Sequence, residues 1–238
     1  MSLSILDSEY RFEGTVSGSN PARSWLNGDV SDSADLTLLI ENGMPRNSMA
    51  GFTNFIDLAS EDSGTITTTI RNTTIGDTIG QGIDIEAFDT SRVTLDVIGS
   101  TLSNSGAGLL DVLANDQAVA SSTLTSNTLI NPANRAITLL SKATNSTDNA
   151  RVGATLTSNQ FQALSGALRA TSDTDDGLAE LRLNMTNNTS NGLYLLEQLE
   201  APPGTAAITL FDGGGNLPTQ TTSGTIGTAT TSLDITFP

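Results

Sequence analysis

The sequence contains no cysteine and no histidine. Those absences exclude disulfide stapling, thiolate and imidazole metal sites, Cys and His nucleophiles and any Ser-His-Asp triad. Lysine occurs once, at Lys142, and aromatic residues make up only 4% of the chain. No run approaches the roughly 18 consecutive apolar residues that a membrane helix needs, so no membrane insertion is expected. Met1 to Glu9 carry neither the basic n-region nor the apolar h-region of a signal peptide. Positive charge is scarce too: 10 Lys and Arg stand against 26 Asp and Glu, a net charge of −16. That balance argues against nucleic acid or an anionic membrane as partner and leaves cations and neutral polar ligands.

What is present is aliphatic and regular. Apolar residues make up 37% and charged residues 15% of 238, a composition that builds a core rather than a disordered chain. The length suits one large domain or two small ones.

Self-similarity is visible along most of the chain. A small residue followed by an alternating aliphatic stretch recurs at Gly82-Ile83-Asp84-Ile85, Gly108-Leu109-Leu110-Asp111-Val112, Ala136-Ile137-Thr138-Leu139, Gly166-Ala167-Leu168 and Gly192-Leu193-Tyr194-Leu195, in steps of 26, 28, 30 and 26 residues. A second column, anchored on Ile70, Val97, Leu124, Leu156 and Leu183, advances by 27, 27, 32 and 27. Between them lies a polar corner: Asn72-Thr73-Thr74-Ile75, Ser100-Thr101-Leu102, Asn127-Thr128-Leu129, Asn159-Gln160-Phe161, Asn187-Asn188-Thr189. A looser copy stands upstream, in Leu36 to Ile40 followed by Gly51-Phe52-Thr53-Asn54-Phe55.

Alternation with period two marks these stretches as strands, one face in and one out, and the Asn, Gly, Ser and Asp between them as turns. The composition disfavours helix. The segments nearest to helical character are Asn159 to Arg169 and Tyr194 to Gln198. A unit of about 27 residues with two or three short strands cannot bury its aliphatic face alone, whereas copies stacked about 4.8 Å apart share one core. The expected architecture is all-β: a parallel β-solenoid of about six rungs over 35–200. Residues 1–34, with Tyr10-Arg11-Phe12 and the lone Trp25, read as an N-terminal cap or irregular first coil. Residues 201–238 read as a C-terminal cap, in which Ala207 to Phe211 and Leu233 to Phe237 would pair as a closing hairpin or add a rung; alternatively, the chain is a segment of a longer protein.

The order aliphatic strand, Asn-Thr-x-aliphatic, polar linker, Gly-Ile-x-Ile, as in Ile70 to Ile75 and Gly82 to Ile85, resembles the repeat of the right-handed parallel β-helix, pectate-lyase-like superfamily, over roughly Asp35 to Glu200. The resemblance implies three short parallel strands per coil and a corner ladder of asparagines, here Asn72, Asn127 and Asn159 with Ser100 interrupting. An amide ladder has a physical basis, since each side chain bonds its neighbours above and below. The family's chemistry, as the resemblance implies, is proton abstraction from a uronic acid by Lys or Arg beside Ca²⁺, or glycoside hydrolysis by clustered carboxylates.

Lyase bases are scarce, with Lys142 alone and Arg71, Arg92, Arg135, Arg151, Arg169 and Arg182 scattered. The best catalytic candidates are acids. Asp84 and Glu86, two apart on one strand, share a face, with Asp111 expected one rung above and Thr138 next. The loops hold another acidic series, Asp89, Asp116, Asp148, Asp173, Asp175 and Asp176. Stacked like charges repel unless a cation intervenes, and Ca²⁺ takes such oxygen ligands. Asp173 to Gly177 resembles a calcium loop but lacks its full twelve-residue pattern. If Ca²⁺ binds there, millimolar Ca²⁺ raises the melting temperature. Thr-rich stretches at Thr65–Thr74 and Thr219–Thr231 bring ice binding to mind, but Thr67 and Thr69 become Thr94 and Asp96 one rung on, so no flat Thr row repeats.

The expected function is a non-catalytic secreted or cell-surface solenoid, acting as a stalk, adhesin segment or glycan-binding module, with a polysaccharide or another surface protein as partner. The alternative is a polysaccharide lyase or glycoside hydrolase using Asp84, Glu86 and Asp111, with Arg135 or Lys142 as cation.

Overall fold

The computed structural model describes residues 1–6, 9–10, 24–45, 53–163, 166–200, 203–216, 220–224, 226–235 and 237. Among them there is no helix, and hence none long and apolar enough to cross a membrane. The chain winds as a parallel β-solenoid of about six turns. Among the described residues its first sheet has nine strands, the central ones being Thr65–Arg71, Arg92–Ile98, Val119–Thr125, Asn149–Thr157 and Leu178–Thr186. An eight-stranded sheet, including Ile56–Ser60, Ile83–Ala87, Leu110–Asn115, Ile137–Ala143 and Leu168–Thr174, forms the second wall. Five strands of two or three residues, from Thr74–Gly76 to Thr189–Ser190, join the two along one corner.

All pairing between these strands is parallel and in register. Ile70, Val97, Leu124 and Leu156 fall on one inward track, and Ile83, Leu110, Ile137, Leu168 and Tyr194 on another. Strand burial alternates accordingly, as in Thr65–Arg71, where Ile66 and Ile70 are sealed inside. Each aliphatic side chain so buried contributes about 1.5–3 kcal/mol. Aromatic pairs fill wider parts of the core: Trp25 stacks on Phe55 with ring centroids 4.6 Å apart, and Phe161 meets Tyr194 edge-on at 5.9 Å.

The pairings correct several sequence expectations. Asn159 to Arg169 contains no helix among its described residues; Gln160–Gln162 and the start of Leu168–Thr174 are strands. Tyr194 to Gln198 lies in the strand Tyr194–Glu200. In both segments the inward aliphatic and aromatic side chains have stacked partners in the next coil, which outweighs local propensity. Leu156 pairs with Met185, not Leu183, because the coil between them is two residues longer than the spacing implied. Ile83 pairs with Leu110, so Gly82 stands level with Leu109 rather than Gly108. The upstream copy in that column is Ile56–Ser60; Gly51 and Phe52 lie outside the described residues.

At the C-terminal end, Thr205–Asp212 and Ile226–Thr228 extend the nine-stranded sheet in parallel. Leu233 to Phe237 makes no hairpin with Ala207 to Phe211. The described part of it belongs to no strand and lies against the outer face of the nine-stranded sheet, where Leu233 exchanges hydrogen bonds with the side chain of Asn184. At the other end Glu9–Tyr10 pairs with Met44–Pro45, while Arg11 and Phe12 are outside the described residues.

The corners explain the sequence punctuation. Leaving the nine-stranded sheet, the chain passes through Asn42, Asn72, Gly99, Ser126, Ser158 and Asn187, each with φ between 51° and 58°. Only Gly enters this left-handed region freely, and Asn tolerates it better than most residues. The next residue carries the ladder. The Ser100 hydroxyl accepts from the Thr73 amide N–H, Asn127 Oδ1 from Ser100, Asn159 Oδ1 from Asn127, Asn188 Oδ1 from Asn159 and Asn216 Oδ1 from Asn188, at 2.8–3.2 Å. Each ladder Asn from 127 onward also donates its Nδ2–H back to a carbonyl in the preceding coil or nearby: Val97, Leu124, Leu156 and Met185. Asn127 and Asn159 are therefore rungs as expected. Asn72 is not; it is the left-handed residue, and Thr73 holds the rung position.

Replacing Asn159 with Ala strips the Asn127 amide of its acceptor and the Leu124 carbonyl of its donor inside the core. At about 1–3 kcal/mol per orphaned buried group, denaturant unfolding is expected to show a loss of about 3 kcal/mol. Asn72→Gly, at a left-handed corner with an exposed side chain, is expected to leave the midpoint nearly unchanged.

Candidate functional site

The outward track of the eight-stranded sheet runs Asn27, Asp57, Asp84, Asp111, Thr138, Arg169. Parallel register puts identical chain positions directly above one another, so three carboxylates stand in a row at the strand spacing of about 4.8 Å. Glu86 belongs to the adjoining outward track, level with Ala59 and Leu113. The expected grouping of Asp84, Glu86 and Asp111, with Thr138 following, is therefore brought together. Asp57 joins it as a fourth acid that the sequence reading missed. Its signal lies in the aliphatic-Asp-aliphatic pattern of Ile56-Asp57-Leu58, which matches Ile83-Asp84-Ile85 and stands five residues beyond Gly51, where the small-residue motif places the upstream copy.

Amides sit between the acids. Asn54 Nδ2 donates to Asp84 at 3.3 Å and to Asp57 at 3.4 Å, while its Oδ1 accepts from the Gln81 amide. Ser24 donates to Asp57 at 2.9 Å, and Gln81 Nε2 reaches Asp111 at 3.4 Å. Asp111 Oδ1 is buried without a hydrogen-bond partner. Gly108 makes room for it: a Cβ there would sit 2.5 Å from that oxygen.

Burial raises the carboxyls of Asp84, Glu86 and Asp111, and for Asp84 and Glu86 the neighbouring acids add to it. Burial is the largest cause for Asp84, followed by the charges of Glu86, Asp111 and Asp57, against which the Asn54 hydrogen bond acts; its carboxyl is raised from 3.8 to about 7. Glu86 is raised by burial and by Asp57 and Asp111. Asp111 is raised by burial, opposed by hydrogen bonds from Gln81 and Thr138. Near neutral pH the Asp84 carboxyl thus stands between its protonated and ionised forms, able to donate to or accept from a hydroxyl group and suited to general acid–base chemistry.

The row borders a recess of about 150 Å³ lined by Gln81, Asp84, Glu86, Asp111, Leu113 and Thr138. Small-molecule pockets usually enclose about 300–1,000 Å³, so this recess takes the edge of a ligand rather than the whole. A larger cavity of about 480 Å³, lined by Leu3, Leu26, Val30, Leu36, Leu38 and Leu58 among others, is the N-terminal end of the aliphatic core.

The loop acids take other places. Asp89 and Asp116 are corner residues with φ of 57° and 59°, aligned with Asp32 and Asp62, which share that conformation. Asp89 accepts from the Asp62 amide and Asp62 from the Asp32 amide, so these carboxylates cap the amides of the preceding coil. Asp148 caps its own loop, accepting from the Thr144 and Asn145 amides at 3.0 and 2.8 Å. Asp173 faces outward beside Lys142 and Leu199 in register, while Asp176 accepts from the Gly177 amide. Among the described residues no three Asp or Glu form a group placed to hold a metal ion. Of the proposed cations, Lys142 stands level with Asn115 on an outward track separate from the acid row, and Arg135 contributes its backbone carbonyl to the Leu109 amide.

The raised carboxyls set the pH dependence of stability. A group whose folded pKa lies above its unfolded value stabilises fully below the unfolded value and loses that contribution as pH rises through the folded one. For Asp84 the window runs from about 3.8 to about 7. Melting temperature is therefore expected to fall between pH 4.5 and pH 8, and Asp84→Asn to flatten the slope and raise the melting temperature at pH 8. A slope unchanged by that substitution would remove Asp84 as its source.

Comparison of the chain with protein-family models, with curated proteins and with solved structures gives no match, so the likeness to the pectate-lyase-like repeat rests on the residues that carry it.

Proposed function

We propose that the chain is a non-catalytic β-solenoid, secreted or displayed at a cell surface, that binds a polysaccharide along the outer face of its eight-stranded sheet. One observation supports this most: the outward row Asn27, Asp57, Asp84, Asp111, Thr138 and Arg169 repeats polar groups at a fixed spacing on an open wall. A ligand built of repeating hydroxylated units meets such a row with hydrogen bonds at several rungs, each worth about 0.5–1.5 kcal/mol net. The recess is too small to swallow a sugar chain, in keeping with side-on contact. The placement outside the cell follows from the resemblance of the repeats and from the acid-rich, cysteine-free composition. This reading needs no metal.

A second reading, glycoside hydrolysis, is favoured by the Asp84 carboxyl, protonated up to about pH 7 beside the carboxyls of Asp111 and Asp57. Adjacent strands about 4.8 Å apart bring such carboxyls near the roughly 5–5.5 Å separation of retaining glycosidases. An oligosaccharide panel separates the two, run with and without Ca²⁺ on the wild type and on Asp84→Ala. Binding without turnover, weakened about tenfold or about 1.4 kcal/mol by Asp84→Ala, is the expected result. Turnover that Asp84→Ala abolishes would replace the scaffold reading with the hydrolytic one.

A further inference from the structure

The outward tracks of the nine-stranded sheet should be solvent-facing, yet three of their positions are sealed. Val119 is 8% exposed, Asn184 is 4% exposed, and Gly153 is buried, although the register places Val119 level with Arg92 and Arg151, and Gly153 level with Arg182. Asn184 and Gly153 are covered by Leu233 and Ile235, and with Phe237 against Arg92 and Arg182 these C-terminal residues cross strands of successive coils.

The contacts along that crossing are specific and mostly made to backbone. Asn184 receives the Leu233 amide N–H on Oδ1 and donates Nδ2–H to the Leu233 carbonyl, both at 2.9 Å, as a neighbouring strand would. Arg182 donates to the Asp234 carbonyl at 2.9 Å, and Arg92 reaches the Phe237 carbonyl at 3.4 Å. Gly153 clears the way for Ile235: a Cβ at 153 would stand 2.5 Å from the Ile235 carbonyl oxygen and 2.7 Å from its Cβ. Phe237, 3% exposed, lies with its ring 4.3 Å from the Arg182 guanidinium and 5.8 Å from that of Arg151. Cation–π contacts of this kind contribute about 0.5–2 kcal/mol. Three of the nine arginines of a chain with net charge −16 thus converge on one aromatic ring and its carbonyl.

We propose that this face is a docking track for an extended peptide with an aromatic anchor, which the chain's own C-terminal segment occupies in cis. The track reads backbone through Asn184, Arg182 and Arg92, excludes bulk at Gly153, and grips the anchor between Arg151 and Arg182. Side-chain demands on the occupant are few: an aliphatic residue over Gly153 and an aromatic ring two positions later. A peptide of that pattern from another chain fits the same track once the resident tail leaves. A tethered tail competes at an effective concentration in the millimolar range, which keeps the site closed to weak ligands.

The test uses full-length chains and a fluorescent peptide spanning 232–238. In Ile235→Asp/Phe237→Ala the resident tail loses its two side-chain anchors and the face is opened. Fluorescence anisotropy is expected to show peptide binding to this variant, and binding about 100-fold weaker to the wild type. Adding Gly153→Val to the opened variant is expected to abolish binding while the β-sheet circular-dichroism spectrum stays the same. No binding to the opened variant, or equal binding whether or not Gly153 is replaced, overturns the proposal. Hydrogen exchange on the wild type gives a check that needs no variant: the Leu233 amide is expected to be protected, and exchange at the rate of a free peptide overturns the proposal as well.

Discussion

Every coil has to turn its corners and return to a point directly above its start, and at most of the described bends the device that achieves this is a single residue in the left-handed region. Asn72, Gly99, Ser126, Ser158 and Asn187 occupy one corner, Asp77, Asn104 and Asn131 a second, and Asp32, Asp62, Asp89 and Asp116 the third. An L-residue there costs roughly 1–2 kcal/mol, eased for Asn and Asp by local hydrogen bonding. Repeated at matching positions in successive coils, the bends help keep the strands in register, and register is what gathers Ile, Leu and Val into one dry interior. A slip of one residue would send every inward side chain outward.

The same stacking decides where polar groups go. At the first corner the residue after the bend turns inward, and its amide would be an orphan deep in the wall. The series Thr73, Ser100, Asn127, Asn159, Asn188 and Asn216 answers this with a hydroxyl or amide that satisfies the neighbouring coil. At the third corner carboxylates do the equivalent work at the surface for the amides of Asp32 and Asp62. Asp62 and Asp89 are in this sense architectural acids. The row Asp57, Asp84 and Asp111 is different, because there stacking sets acids side by side on a half-buried wall, and burial first, with the neighbouring charges second, raises the Asp84 carboxyl.

The two outer walls differ in kind. The eight-stranded wall leaves its half-buried acid row open beside a shallow recess, which suits a ligand lying across several rungs. The nine-stranded wall is closed over Gly153 and Asn184 by the chain's own terminus. A solenoid offers long flat faces by construction, and this chain uses one as a polar ladder and the other as a seat for an extended segment.

The period of about 27 residues, the alternation within each stretch and the Asn, Gly, Ser and Asp punctuation were enough to read parallel stacked strands, and to place Asp111 above Asp84. These are local or strictly periodic signals. Whether Asn72 or Thr73 holds the ladder was not legible, since two polar neighbours look alike until the backbone shows which one bends left-handed. Met185 displaced Leu183 as the partner of Leu156 because a longer coil shifts the register without altering the alternation. The membership of Asp57 in the acid row, the corner-capping role of Asp62 and Asp89, and the path of Leu233, Ile235 and Phe237 across the outer wall all depend on which coils lie side by side. That adjacency joins residues some 27 to 145 positions apart, and only the packed tertiary structure decides it.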